Sequence, residues 1–222
     1  MIRDRLETAE EVGSKKTFRW AIDWPGWARA GKDRGLALDA LVTYAPRYAI
    51  VATEAGVEFP AAVHAADQHL VDSVPGGGGT DFGVPSAITP ADRRPVDADQ
   101  AERLARLVEA AWVVFDRVAA APPAELRKGP RSGGRDTSKM VGHVIAADRA
   151  YAREIGLRLP LASTDDREAV AAERQALLEV LRRPSDGSPL ADRRWTARYA
   201  ARRIAWHALD HAWEIEDRTE PA

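Results

Sequence analysis

Residues 206–218 read Trp-His-Ala-Leu-Asp-His-Ala-Trp-Glu-Ile-Glu-Asp-Arg. His207 and His211 are four residues apart. On a helix that spacing stacks them one turn apart on one face, with Cβ atoms ~6 Å from each other. Ile204, Ala208 and Ile215 share their line, which makes it a buried stripe. Imidazoles so placed can reach one ion through bonds of ~2.1 Å. Satisfied core histidines are the competing reading, since buried polar groups need either partners or a metal. The helix that carries the pair is expected to begin near Arg193 and to run to about Asp217.

Working outward, three more helical patterns precede it. Leu104, Leu107, Val108, Ala111, Phe115 and Val118 repeat with period 3.6 from about Asp97 to Ala121, where Pro122 and Pro123 stop the run. After the loop Lys128 to Asp136, Asp136 or Thr137 caps a second helix that reaches about Ile155, with Gly156 as its stop. Its stripe is Met140, Val144, Ala147, Tyr151 and Ile155, and His143 sits beside that stripe. A third helix starts at Thr164-Asp165 and ends before Pro184, with Val170, Leu177, Leu178 and Leu181 as its core face. Four such helices suggest an up-down bundle, with crossover connections left open. Metal sites in bundles are built from side chains projecting inward from facing helices, so His143, His207 and His211 form a candidate ligand set with open positions.

The first half reads differently. Residues 1–16 read as a charged lead-in with room for a short helix. Thr17 to Asp23 alternates as a strand with Phe18, Trp20 and Ile22 on one side. Trp24-Pro25-Gly26-Trp27 makes a turn, and Ala28 to Gly31 a second short strand. Asp33 caps a helix running to about Glu54 with Leu38, Leu41, Val42, Ala45 and Tyr48 inward, and Pro46 should kink or split it. Gly56 stops it. His69 to Val74 is a further strand. The run Gly76 to Gly79 lacks the Gly-Lys-Ser/Thr ending of a phosphate loop and is expected to be a mobile loop. His64 and His69 read as surface or packing residues. The Pro-rich stretch Thr89 to Asp97 marks a boundary, giving a small α+β domain over 1–92 and a four-helix bundle over 93–222. The fold class is therefore mainly α.

Composition narrows the chemistry. The chain has 222 residues, is 45% hydrophobic and carries a formal charge of −2, which suits a soluble protein with a sizeable core and gives no case for nucleic-acid binding. It contains no cysteine, so disulfides, cysteine-ligated zinc and a cysteine nucleophile are excluded. Any thiol chemistry must use a thiol that arrives with a substrate. The charged N-terminus has no apolar signal core and no run of 18 uncharged apolar residues exists, so no membrane span is expected and cytoplasm is the default. The expected partner is a small-molecule substrate, with a homodimer left open.

Residues Met140-Val141-Gly142-His143, followed by Ile204-Ala205-Trp206-His207-Ala208-Leu209-Asp210-His211, resemble the DinB-like (YfiT-like) metal-binding four-helix-bundle family. The likeness spans about residues 97–218. It implies that His143, His207 and His211 bind a divalent metal. It also implies an S-transferase or isomerase that uses mycothiol, bacillithiol or a related low-molecular-weight thiol. Some members carry an acid in place of one histidine, whereas this chain keeps all three. The segment Phe18 to Leu41 separately resembles HicB-like α+β domains in its strand, Asp-x-Pro-Gly turn and following helix. Trp27 stands where small or Cys residues are usual in that family.

The three imidazoles suit Zn, Ni or Fe(II). Arg203, one turn before His207, is placed to hold an anionic cofactor or substrate group. Glu214, three after His211, is placed for support or direct ligation. Asp148 and Asp210 are expected to be exposed and salt-bridged. Arg193, Arg194 and Arg198 near the start of the last helix and Glu214, Glu216 and Asp217 near its end oppose the helix dipole, so they are expected to pair with neighbouring helices, with substrate binding by some of them as the alternative. Trp206 and Trp213 are expected to pack against the first domain. A metal-dependent hydrolase, and a non-catalytic binding or regulatory protein, are the rival readings. No catalytic residue beyond the ligand set is assigned.

Overall fold

The computed structural model describes residues 6–121, 126, 137–160 and 162–219. Strand β1 (Leu6–Val12) is followed by β2 (Thr17–Ala21), β3 (Ala28–Gly31), α1 (Arg34–Thr43), α2 (Ala45–Glu54), β4 (Gln68–Pro75), α3 (Gly78–Phe82), α4 (Ala98–Ala120), α5 (Thr137–Glu154), α6 (Arg167–Leu181) and α7 (Ala197–Arg218). A small sheet and short helices thus precede a bundle of long helices.

The sheet has order β3-β2-β1-β4, with β4 parallel to β1 and the other pairs antiparallel. Phe18, Trp20 and Ile22 share one apolar cluster with Ala9 and Trp206, as the alternation of β2 required. Strand β1 corrects the expected charged lead-in. Its sequence Leu-Glu-Thr-Ala-Glu-Glu-Val looks solvated, yet Glu10 and Glu11 are almost fully buried. Glu10 is bound by Arg19 at 3.2 Å, Arg34 at 3.1 Å and the Ser73 hydroxyl at 2.8 Å. Glu11 accepts from the Thr80 hydroxyl and, at 2.8 Å, from the Ala87 amide. Buried carboxylates are tolerable only with such partners, and these come from distant parts of the chain. Thr80 sits in α3, so the glycine run leads into a short helix where a mobile loop was expected.

Asp33 caps α1 by accepting from the Leu36 amide at 2.9 Å. The helix expected over Asp33 to Glu54 is split at Tyr44, with Pro46 in the first turn of α2, where its missing N–H costs nothing. The turn Trp24 to Trp27 is pinned from both sides: the Trp27 indole donates to the Leu41 carbonyl at 2.9 Å, and the Tyr48 hydroxyl to the Pro25 carbonyl at 2.8 Å. Gly26 has φ 92°, and a Cβ there would meet Leu209 Cδ1 at 2.7 Å and Ala205 at 3.0 Å. Both strain and contact with α7 demand glycine. Gly26→Ala should therefore lower stability by about 2 kcal/mol, read as a reduced urea midpoint at unchanged m-value.

Helices α4 to α7 form the bundle. Asp97 caps α4 through the Gln100 amide, and Leu104, Leu107, Val108, Ala111 and Phe115 are buried as their period demands. Contacts are more extensive along the edges α4–α7, α7–α5, α5–α6 and α6–α4 than across α4–α5 and α6–α7. Helices consecutive in sequence therefore lie diagonally twice, which makes this a bundle with crossover connections and not a simple up-down one. The stop at Pro122-Pro123, the Gly/Arg-rich loop and an Asp136 cap lie outside the described residues. Helix α6 starts two residues later than expected, with Asp166 as its cap. Helix α7 starts at Ala197 behind the Thr196 cap, so Arg193 and Arg194 lie outside it and the dipole conflict shrinks. Arg198 pairs with Asp23 at 2.7 Å, and Arg47 pairs with Asp217 at 2.6 Å.

One apolar cluster holds Trp27, Leu41 and Tyr48 together with Leu104, Phe115, Ala205, Leu209 and Trp213. Its members come from both sides of residue 92. Trp206 meets Phe18 edge-on at 6.1 Å and Trp213 meets Tyr44 at 5.1 Å, so both tryptophans pack against the N-terminal part as expected. Arg202 is fully buried between Trp20 and a two-point pair with Asp92, at 3.1 and 2.7 Å. Among the described residues, no helix is long and apolar enough to cross a membrane.

Candidate metal centre

Helix α7 places His207 and His211 on one line, and α5 packs alongside it with His143 facing them. His143 Nε2 and His207 Nε2 are 3.2 Å apart. The ring centroids of the three residues are separated by 4.8 to 5.2 Å. One nitrogen from each lies within 4.8 Å of the others. His207 is buried, while His143 and His211 are half-buried, so the set has a closed floor and an open side.

This donor set fits a divalent ion. Two nitrogens on a tetrahedral ion at ~2.1 Å bonds stand about 3.4 Å apart, close to the separation of His143 and His207. The widest separation, 4.8 Å, would contract by about 1.4 Å on binding, within reach of a ring rotation. His211 Nδ1 is already engaged, 3.1 Å from Glu214 Oε2. That leaves its Nε2 for the shared point, and a carboxylate on the far nitrogen is the usual way to fix a ligating imidazole. The hydrogen bond to His211 holds Glu214 below its ordinary carboxylate range, against the burial that would raise it. Arg218 grips the other oxygen at 3.0 Å. Glu214 therefore supports His211. Glu214→Gln should weaken zinc binding by about 10- to 100-fold, measured by competition with a chromophoric chelator.

Arg203 lies beside this set. Its guanidinium carbon stands 4.6 Å from the centre of the Trp206 ring and 5.3 Å from that of Tyr151. Tyr151 in turn is 5.8 Å from the His207 ring and 5.1 Å from Trp195. Burial raises the Tyr151 phenol above its ordinary range, and Arg203 opposes that rise. Tyr151 was legible as a stripe residue but not as part of the site; its place two helical turns from His143 was the available signal.

The remaining expectations divide. Asp210 is partly exposed and paired with Arg29 at 3.2 Å, as expected. His64 and His69 are exposed. Asp148 overturns its expected surface role, because it is only 4% exposed. The buried face of α5 is Met140, Val144, Ile145, Asp148 and Ala152, turned slightly from the expected stripe because the helix touches both α6 and α7. Asp148 lies among Trp112 and Asp116 of α4 and Glu173 and Arg174 of α6. The Trp112 indole approaches it, but neither carboxylate oxygen completes a hydrogen bond. Burial pushes Asp148 up to about 7.

Comparison with known proteins leaves the site to be read from its own geometry: no family model, curated protein or solved structure matches this chain.

Proposed function

We propose that this chain is a metal-dependent enzyme of the DinB-like kind, an S-transferase or isomerase that works with a low-molecular-weight thiol. The observation that carries the reading is the convergence of His143, His207 and His211 from two helices, with Glu214 behind His211. When bound, a divalent ion supplies Lewis acidity there and lowers the pKa of a thiol or water that reaches it. The chain's own residues supply the rest. His207 and its apolar neighbours close the floor of the site. Glu214 orients His211, while Tyr151 and Trp206 wall the adjoining space around Arg203. The absence of cysteine fits a thiol that comes from outside the chain. The N-terminal sheet, whose β2–turn–β3–α1 order supports the HicB-like resemblance, serves as the cover of one face of α7.

Zn, Ni and Fe(II) all suit three imidazoles. Protein purified without a histidine tag should carry close to one equivalent by elemental analysis. The loaded protein should then consume a generic electrophile faster with a small thiol than in buffer. Turnover without any thiol dependence would point to the hydrolase reading instead. Metal-free protein that takes up none of the three ions would leave only a non-catalytic role.

A further inference from the structure

The geometry points to a carboxylate-binding position at Arg203, and we propose that the ligand whose reacting atom sits at the histidine set also carries a carboxylate that Arg203 receives. This inference rests on the metal reading above and specifies the ligand that site takes.

Arg203 precedes His207 by one helical turn, a rise of ~6 Å along α7. Its Nη1 is buried and has no hydrogen-bond partner among the described residues. Buried polar atoms in proteins are almost always satisfied, so an orphaned donor beside a half-open site marks a place for an acceptor. Its neighbour Arg202 also has an unpartnered Nη1, but Arg202 is neutralised by Asp92 and bound to the Ala87 carbonyl, whereas Arg203 makes no ion pair among the described residues. Glu214 stands eleven residues further along α7 and is committed to His211 and Arg218. Arg203 faces the Trp206 ring on one side and Tyr151 on the other, and its interaction with the Tyr151 phenol leaves its charge unneutralised. Those rings shield one side of the guanidinium from water without neutralising it, which strengthens its attraction for an anion.

The class of anion follows from shape and charge. A guanidinium edge matches a planar carboxylate through two parallel N–H···O bonds. One arginine without an ion pair balances one negative charge, whereas a phosphate dianion would call for a second cation. The ~6 Å rise between the two positions gives the order of the separation between the carboxylate and the atom held at the imidazoles. A thiol with three methylenes between sulfur and carboxylate spans a distance of that order.

The test uses the full chain loaded with cobalt(II), whose d–d bands report the metal and whose sulfur-to-cobalt band reports thiol binding. Dissociation constants are measured for 4-mercaptobutyrate and for its uncharged amide. The wild type should favour the carboxylate by about tenfold or more. Arg203→Met should abolish that ratio, and Arg203→Lys should restore part of it, with d–d bands and far-UV dichroism retained in both. Equal affinities in the wild type, or a preference that persists in Arg203→Met, overturn the inference while leaving the metal reading intact. Missing d–d bands before thiol is added overturn the metal reading. A cobalt protein that binds neither thiol overturns the thiol reading, and in either case this inference falls with it.

Discussion

Replacing His207 with alanine should lower zinc affinity by at least about 100-fold, more than the loss of a supporting group such as Glu214 costs. His207 is the buried member of the set and lies nearest to His143, at 3.2 Å. Its removal leaves two imidazoles on different helices with no common floor. The effect is measurable without any substrate. Zinc at 100 times its dissociation constant stabilises a folded protein by about 2.7 kcal/mol when the unfolded chain does not bind it. The wild type should show that gain as a raised unfolding temperature, reversed by a chelator, and His207→Ala should not. His143→Ala should behave alike, although His143 belongs to another helix. Equal zinc shifts in the wild type and both variants would sink the assignment.

The second large effect concerns Asp148. A carboxyl raised from 3.8 to about 7 in the folded state binds a proton that the unfolded chain has already released. Between those two values the folded state holds more protons, so the contribution of this group to stability falls as pH rises. At 1.36 kcal/mol per unit, the full penalty above pH 7 is about 4 kcal/mol. Its causes are burial first, then Asp116 and Glu173, with Arg174 and the Trp112 indole working the other way. Asp148→Asn keeps the shape and removes the charge. The variant should exceed the wild type in stability by about 2–4 kcal/mol at pH 8 and match it near pH 4. Paired urea titrations at the two pH values give the difference directly, and other titrating groups cancel between the proteins. A variant weaker than the wild type at pH 8 would mean that partners hold the charge and outweigh its burial.

Much of this arrangement was legible before any coordinates. The i,i+4 spacing of His207 and His211, the period of α4, the Asp33 cap, the break at Pro46 and the Trp24–Trp27 turn are local signals, and each had its expected structural result. What escaped depended on partners far away in sequence. Strand β1 hides two glutamates because Arg19, Arg34, Ser73 and Thr80 come to meet them. Asp148 is buried because α5 presents a wide face to two helices at once, and a single stripe could not show that. The crossover order of the bundle depends on which long helices touch, which their individual patterns do not encode.

The last helix has two occupied sides. Trp206 faces the strands, and the next residue, His207, faces His143. A chain cut near residue 92 would strip the cover from Trp206 and Trp213 and leave a greasy flank on the remaining bundle. Such a fragment should clump at concentrations where the intact chain stays dispersed, and its imidazoles would ride on a rod that no longer has a fixed seat.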